Sequence, residues 1–180
     1  MDVEIGLFVL RAVIGLTFAA HGAQKLFGAF GGGDLDGTAS TFERLGLRPA
    51  RLHATVAASA EFFGGLLLAA GLFTTPDAAV LIAVMCVAVI KVHGRNGFFS
   101  SNGGFEFNLV MAAGLFALAA LGAGTWSLDA AGGIALSGTG WALGALGLGI
   151  AGGVAAVAAA RAYSDSRGAS RHDRGLHSPA

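Results

Sequence analysis

A chain of 180 residues that is 54% hydrophobic and 12% charged carries about half the charged fraction of a soluble domain. Its 30 glycines and mean hydropathy of +0.70 point to a small helical membrane protein. A formal net charge of zero with no basic patch argues against a nucleic-acid partner, and a single cysteine, Cys86, excludes an internal disulfide, a Cys-x-x-Cys cycle and an iron–sulfur cluster held by this chain alone.

The start, Met1-Asp2-Val3-Glu4, is acidic where a secretory signal would be basic, so the first apolar segment is expected to be retained. Apolar runs of about 20 residues cross a hydrocarbon core of about 30 Å at about 1.5 Å per residue. Five segments qualify. The first, residues 5–27, carries Arg11, His21 and Lys25. A glycine-rich loop follows, and residues 38–45 read as a short amphipathic helix presenting Phe42 and Leu45 to the membrane surface until Gly46 ends it. The second segment, residues 52–73, contains Glu61 and the Gly64-Gly65 pair. A third begins after Thr75-Pro76-Asp77, where Thr75 suits a cap and Pro76 a first turn, and reaches His93. Residues 94–104 interleave Phe98 and Phe99 with small polar residues, which fits either a dip into the headgroup layer or a solvated turn with two anchors. The fourth segment, residues 105–121, is entered past Glu106 and Asn108. The fifth, residues 134–160, is uncharged, and its Gly140/Gly144 and Gly149/Gly153 spacings suit close packing within the chain or a homo-oligomer. Residues 161–180 are polar and read as a disordered cytoplasmic tail.

Lysines and arginines gather at the first and third connections and after the last segment. Five crossings, with the N-terminus outside and the C-terminus in the cytoplasm, put every basic residue except Arg11 on one side.

Ionisable groups at bilayer depth are costly and mark functional or packing sites. Counting about 1.5 Å per residue from the segment ends puts Arg11 about 9 Å and Glu61 about 13 Å from opposite faces, an axial gap of roughly 8 Å that a guanidinium can nearly cover. Arg11–Glu61 is therefore the expected intramembrane pair, either fixing helix register or lining a polar cavity. A second group, His21, Lys25, Lys91, His93, Glu106 and Asn108, gathers at the cytoplasmic end. His21 and Lys25 share a helix face, and an imidazole about two turns below the surface needs a partner. Haem ligation by His21 and His93 is geometrically allowed but is the weaker reading, and no residue pattern suggests a metal.

The run Leu10-Arg11-Ala12-Val13-Ile14-Gly15-Leu16-Thr17-Phe18-Ala19-Ala20-His21-Gly22-Ala23-Gln24-Lys25-Leu26-Phe27-Gly28 resembles the opening of the DoxX family of small bacterial membrane proteins. The resemblance continues through Phe42-Glu43-Arg44-Leu45-Gly46, Glu61-Phe62-Phe63-Gly64-Gly65, His93-Gly94-Arg95-Asn96-Gly97, Gly104-Phe105-Glu106-Phe107-Asn108 and Trp126-Ser127-Leu128-Asp129. It implies an all-α, four-helix transmembrane bundle over residues 1–130 in the bacterial plasma membrane, with residues 131–160 as an added transmembrane helix. It also implies an association with quinone-linked or oxidative-stress oxidoreductase complexes. The family's polar positions fall on Arg11, His21, Lys25, Glu61, His93 and Glu106, which the resemblance makes candidate cofactor-binding residues. The lone Cys86 departs from any chemistry on paired thiols and counts against independent thiosulfate oxidation.

Three functions fit. In the first, the chain is a redox-associated subunit whose pocket holds a quinone head group, since quinone carbonyls accept hydrogen bonds and a carboxylate relays protons. In the second it is a membrane anchor for a soluble redox partner, its charges serving helix packing alone. A small-solute transporter is the third, without the internal repeat many transporters show.

Overall fold

Leu7, Arg11, Ile14 and Phe18 recur at intervals of three and four residues and are all buried, so one stripe of the first helix faces its neighbours. The computed structural model describes residues 2–176, and this helix is α1, Asp2–Phe27. A 3₁₀ turn, Ala29–Gly31, leads to α2, Asp34–Arg44. The second span is continuous but of three kinds: α3, Ala50–Ser59, then a π-helical segment, Ala60–Gly64, then α4, Gly65–Ala70. The third runs as α5, Thr74–Ala88, into another π-helical segment, Val89–His93. After a looped connection come α6, Glu106–Leu121, the one-turn α7, Leu128–Ala131, and the long α8, Thr139–Leu176. No strand occurs among the described residues.

Four helical stretches, Val3–Phe27, Ala50–Ala70, Thr74–Asn96 and Thr139–Arg167, are long and apolar enough to cross a membrane. The remaining apolar helix, α6, has 16 residues, about 24 Å, and is short for a full crossing. Val9, Val13 and Leu16 on α1 and Leu148 and Val154 on α8 are exposed, an outer surface suited to lipid tails. The protein is a multi-pass membrane protein with an all-helical bundle.

Glycines set the helix register. A Cβ on Gly15 would lie 2.5 Å from the Gly65 carbonyl oxygen and 2.6 Å from the Ala69 nitrogen, so α1 and the second span touch backbone to backbone. Gly15→Val is expected to overpack this contact at a cost of about 1–3 kcal/mol. The change should appear as a lower midpoint for thermal unfolding in detergent, and an unchanged midpoint would contradict the packing.

The fifth span packs on its own bundle, along α5 and then α6. A Cβ on Gly149 would meet Ile82 Cγ2 at 2.6 Å and one on Gly153 would meet the Cys86 Cβ at 2.7 Å, whereas Gly140 and Gly144 have nothing within 4 Å. Only the later of the two glycine spacings therefore serves contacts within the chain. At its far end α8 continues to Leu176, past the break expected at residue 161. Polarity past Arg161 therefore marks where a helix leaves an apolar layer and not where it ends. Residues 177–180 lie outside the described residues.

Two smaller expectations change. Gly46, with φ 70, does end α2, but Phe42 and Leu45 pack against Leu47, Val157, Ala160 and Val87 and so close the bundle end instead of facing the membrane surface. Thr75 does not cap α5; its hydroxyl donates to the Leu136 carbonyl, and the cap comes from Asp129.

Candidate functional site

Arg11 is 1% exposed. Its Nε donates to the Ala69 carbonyl at 3.2 Å, one terminal nitrogen to the Ala123 carbonyl and the other to the Trp126 carbonyl at 2.6 Å. Ala69 lies in the last turn of α4, where carbonyls lack helical partners and the helix dipole is negative. The guanidinium thus ties the end of α4 to the connection after α6. Across the turn at Gly71, Asp129 does the complementary work at the start of α5: its carboxylate accepts from the Phe73 nitrogen at 2.7 Å and the Thr74 nitrogen at 2.9 Å. The same bonds hold Phe73 at φ 52, a conformation L-residues rarely adopt. Gly71 has no room for a side chain, since its Cβ would fall 2.7 Å from Arg11 Cζ. Glu4 adds a third tie, accepting from the nitrogen and hydroxyl of Thr125.

The expected Arg11–Glu61 pair does not form. Gly15 against Gly65 and Ala69, and Gly22 against Phe62, fix α1 and the second span so that Glu61 lies near the far end of α1. Arg11 and Lys25 are 14 positions apart, about 21 Å along the helix, and Glu61 pairs with Lys25. Counting depth from segment ends ignored this glycine-set register.

The Lys25–Glu61 ion pair lies at a cavity of about 600 Å³ bounded by the second span, α5 and α8, with α2 across one end. Glu61 is almost fully buried and Lys25 about one-third exposed. Both π-helical segments contribute: Ala60–Gly64 supplies Glu61, and Val89–His93 supplies Lys91 and His93. A π turn inserts an extra residue and displaces the following face, a device frequent at functional sites. His53 and Thr41 complete the polar part. The remaining walls are apolar, with Val56 and Val84 facing Leu148, Gly152 and Ala156 of α8. Volume and polarity match a site for a small amphipathic molecule.

Of the six sequence candidates, Lys25, Glu61 and His93 line this cavity. His93 Nδ1 also lies 2.7 Å from the Gly103 carbonyl, which leaves Nε2 as its other polar atom. His21 is exposed and sits against the Phe107 ring with centroids 5.9 Å apart, so its contact is aromatic. The Glu106 carboxylate accepts from the Ser100 nitrogen at 2.9 Å and shapes the loop before α6. Arg11 belongs to the helix-end latch. His53 escaped the sequence reading although it precedes Glu61 by eight positions, a spacing that places both on one helix face. Asp129 was visible only as part of a motif, because its partners come from the distant turn at Phe73.

No curated protein and no solved structure matches the chain. A family model described as DoxX matches residues 6–94, from α1 to the end of the π-helical segment after α5. That stretch carries Arg11, Lys25, His53, Glu61, Lys91 and His93, and it stops before α6, α7 and α8, so Glu106, Asp129 and the α8 wall of the cavity lie beyond it. By this match, over the segment that holds the polar end of the cavity, the chain belongs to the DoxX family.

Proposed function

We propose that this DoxX protein is a redox-associated membrane subunit that holds a quinone in the cavity between the second span, α5 and α8. The observation that carries the reading is the amphipathic cavity itself: an apolar slot of about 600 Å³ ending at a buried carboxylate, an ammonium group and an imidazole. A quinone supplies reversible two-electron chemistry and has the same division into polar head and apolar tail. Lys25 offers hydrogen-bond donors to a quinone carbonyl oxygen, the Nε2 of His93, whose Nδ1–H is taken by the Gly103 carbonyl, accepts from a quinol hydroxyl, and Glu61 holds or releases a proton beside it. The apolar walls exclude water from the tail. One cysteine provides no dithiol, so electrons come from a soluble redox partner docking at the basic face. The distribution of lysine and arginine supports placing that face in the cytoplasm of a bacterium, with the N-terminus outside.

A non-catalytic anchor is the second reading, and one observation favours it: Arg11 and Asp129 are wholly engaged in holding helix ends. The cavity is not accounted for by that role. Titration of the detergent-solubilised protein with a short-chain quinone separates the two. Saturable binding at one site per chain is the expected result; a folded protein with no such binding would leave the anchor reading.

A further inference from the structure

Glu61 is already paired with Lys25, yet the cavity holds a second ammonium group. Lys91 lines the same polar end, and its Nζ lies 3.9 Å from where a Cβ on Gly46 would be. The ion pairs among the described residues are Lys25–Glu61, Arg48–Glu43 and Arg51–Asp36, and none involves Lys91. Lysines at helix ends ordinarily extend to the lipid headgroup layer. Here the side chain is half-buried beneath the α2–α3 turn. The imidazole of His53, from the opposite wall, makes no hydrogen bond among the described residues and lines the same space. Two ammonium groups therefore face one carboxylate, and the uncompensated charge sits where the dielectric is low.

The other end of the slot gives the occupant its second property. Val56, Val80 and Leu148 line the cavity and are themselves 60%, 48% and 71% exposed. On a membrane-embedded surface, exposure at these positions means that the slot opens sideways onto hydrocarbon, so chains enter from the bilayer without crossing water.

We propose that Lys91 and His53 seat the phosphate of an anionic phospholipid, with one acyl chain lying in the slot between α3, α5 and α8. A phosphodiester fills the unmet acceptor need of both side chains. A zwitterionic headgroup would bring its own ammonium beside Lys91 and lose that advantage. The inference does not rest on the quinone reading. Its seat is Lys91 and His53, whereas the quinone reading uses Lys25, Glu61 and His93. The slot is shared, so the lipid competes with the tail of any second ligand there.

The test titrates delipidated full-length protein in neutral detergent micelles carrying phosphatidylglycerol, phosphatidylcholine or oleate, and in lipid-free micelles with inorganic phosphate, reading thermal stabilisation. The expected result is saturable stabilisation by phosphatidylglycerol at a concentration at least about tenfold below that needed for phosphatidylcholine. Lys91→Met should abolish that preference, Lys91→Arg should keep it, and Arg95→Met, altered outside the cavity, should leave it unchanged. Equal response to the two phospholipids, or a preference surviving Lys91→Met together with His53→Gln, would overturn the proposal. Stronger stabilisation by oleate would also overturn it and make the occupant a fatty acid, and a full response to phosphate alone would mean an anion site without an acyl chain. Short-chain quinone binding by Lys91→Met is read in parallel. Its persistence while the lipid preference is lost shows that the two head-group seats are distinct, and its absence from wild type as well would count against the quinone reading only.

Discussion

Arg11→Met is expected to cause the largest loss of stability of any single substitution in the N-terminal half of α1. The guanidinium, itself buried, satisfies three backbone carbonyls, on Ala69, Ala123 and Trp126. A buried acceptor left without a donor costs about 1–3 kcal/mol, and relaxation of the loop recovers part of the sum, giving roughly 3–5 kcal/mol in all. Arg11→Lys should recover only a fraction, because one ammonium at the end of a flexible chain does not reproduce a planar fork aimed at three acceptors. The check is the midpoint of thermal unfolding in detergent, read beside bound quinone in the fraction that remains folded. Stability should fall while quinone binding per folded molecule stays constant. A stable Arg11→Met protein that has lost quinone binding would return Arg11 to the ligand site.

The second large effect concerns Lys25 and Glu61, and it is non-additive. Lys25→Met strands a carboxylate in the bundle interior, at a cost of about 3 kcal/mol. Adding Glu61→Gln to the same chain removes the stranded charge and should restore most of that loss. Glu61→Gln alone should cost less than Lys25→Met, because Lys25 is about one-third exposed and can turn its ammonium toward water. A double-mutant cycle on unfolding midpoints measures the coupling, and simple additivity would mean that the ion pair contributes nothing. All three variants should bind quinone at least about tenfold more weakly than wild type, since each removes the donor or the carboxylate from the head-group end.

The family and the membrane-spanning helices were legible because both depend on local pattern. Apolar length declares a span, and Arg11, Lys25, Glu61 and His93 are conspicuous wherever the surrounding residues are apolar. What failed was the pairing. Depth counted from each segment end treats helices as rods hung from a flat surface, whereas α1 and the second span are placed by Gly15, Gly22 and Gly65, whose contacts bring Glu61 to Lys25. Charge alone did not reveal that register. The latch was hidden for another reason: Arg11 and Asp129 bind main-chain atoms, which leave no trace in side-chain patterns. His53 lay in plain view but drew no attention, because the polar start of α3 gave no reason to single it out. The apolar wall from α8 could not be read as part of a site at all, since Leu148, Gly152 and Ala156 look like any lipid-facing helix until α5 is packed beside them.

Occupancy of the cavity decides between a ligand-holding subunit and an anchor. The most direct measurement is the quinone content of protein purified from native membranes without stripping lipid, quantified by mass spectrometry for wild type and for Ala156→Phe. Ala156 lines the cavity on α8, so a phenyl ring there takes up cavity volume while Lys25, Glu61 and His93 keep their identities. Quinone should co-purify with wild type, at less than one per chain where lipid shares the slot, and be strongly depleted in the equally folded variant. Equal quinone in both proteins, or none in either, would contradict the quinone reading.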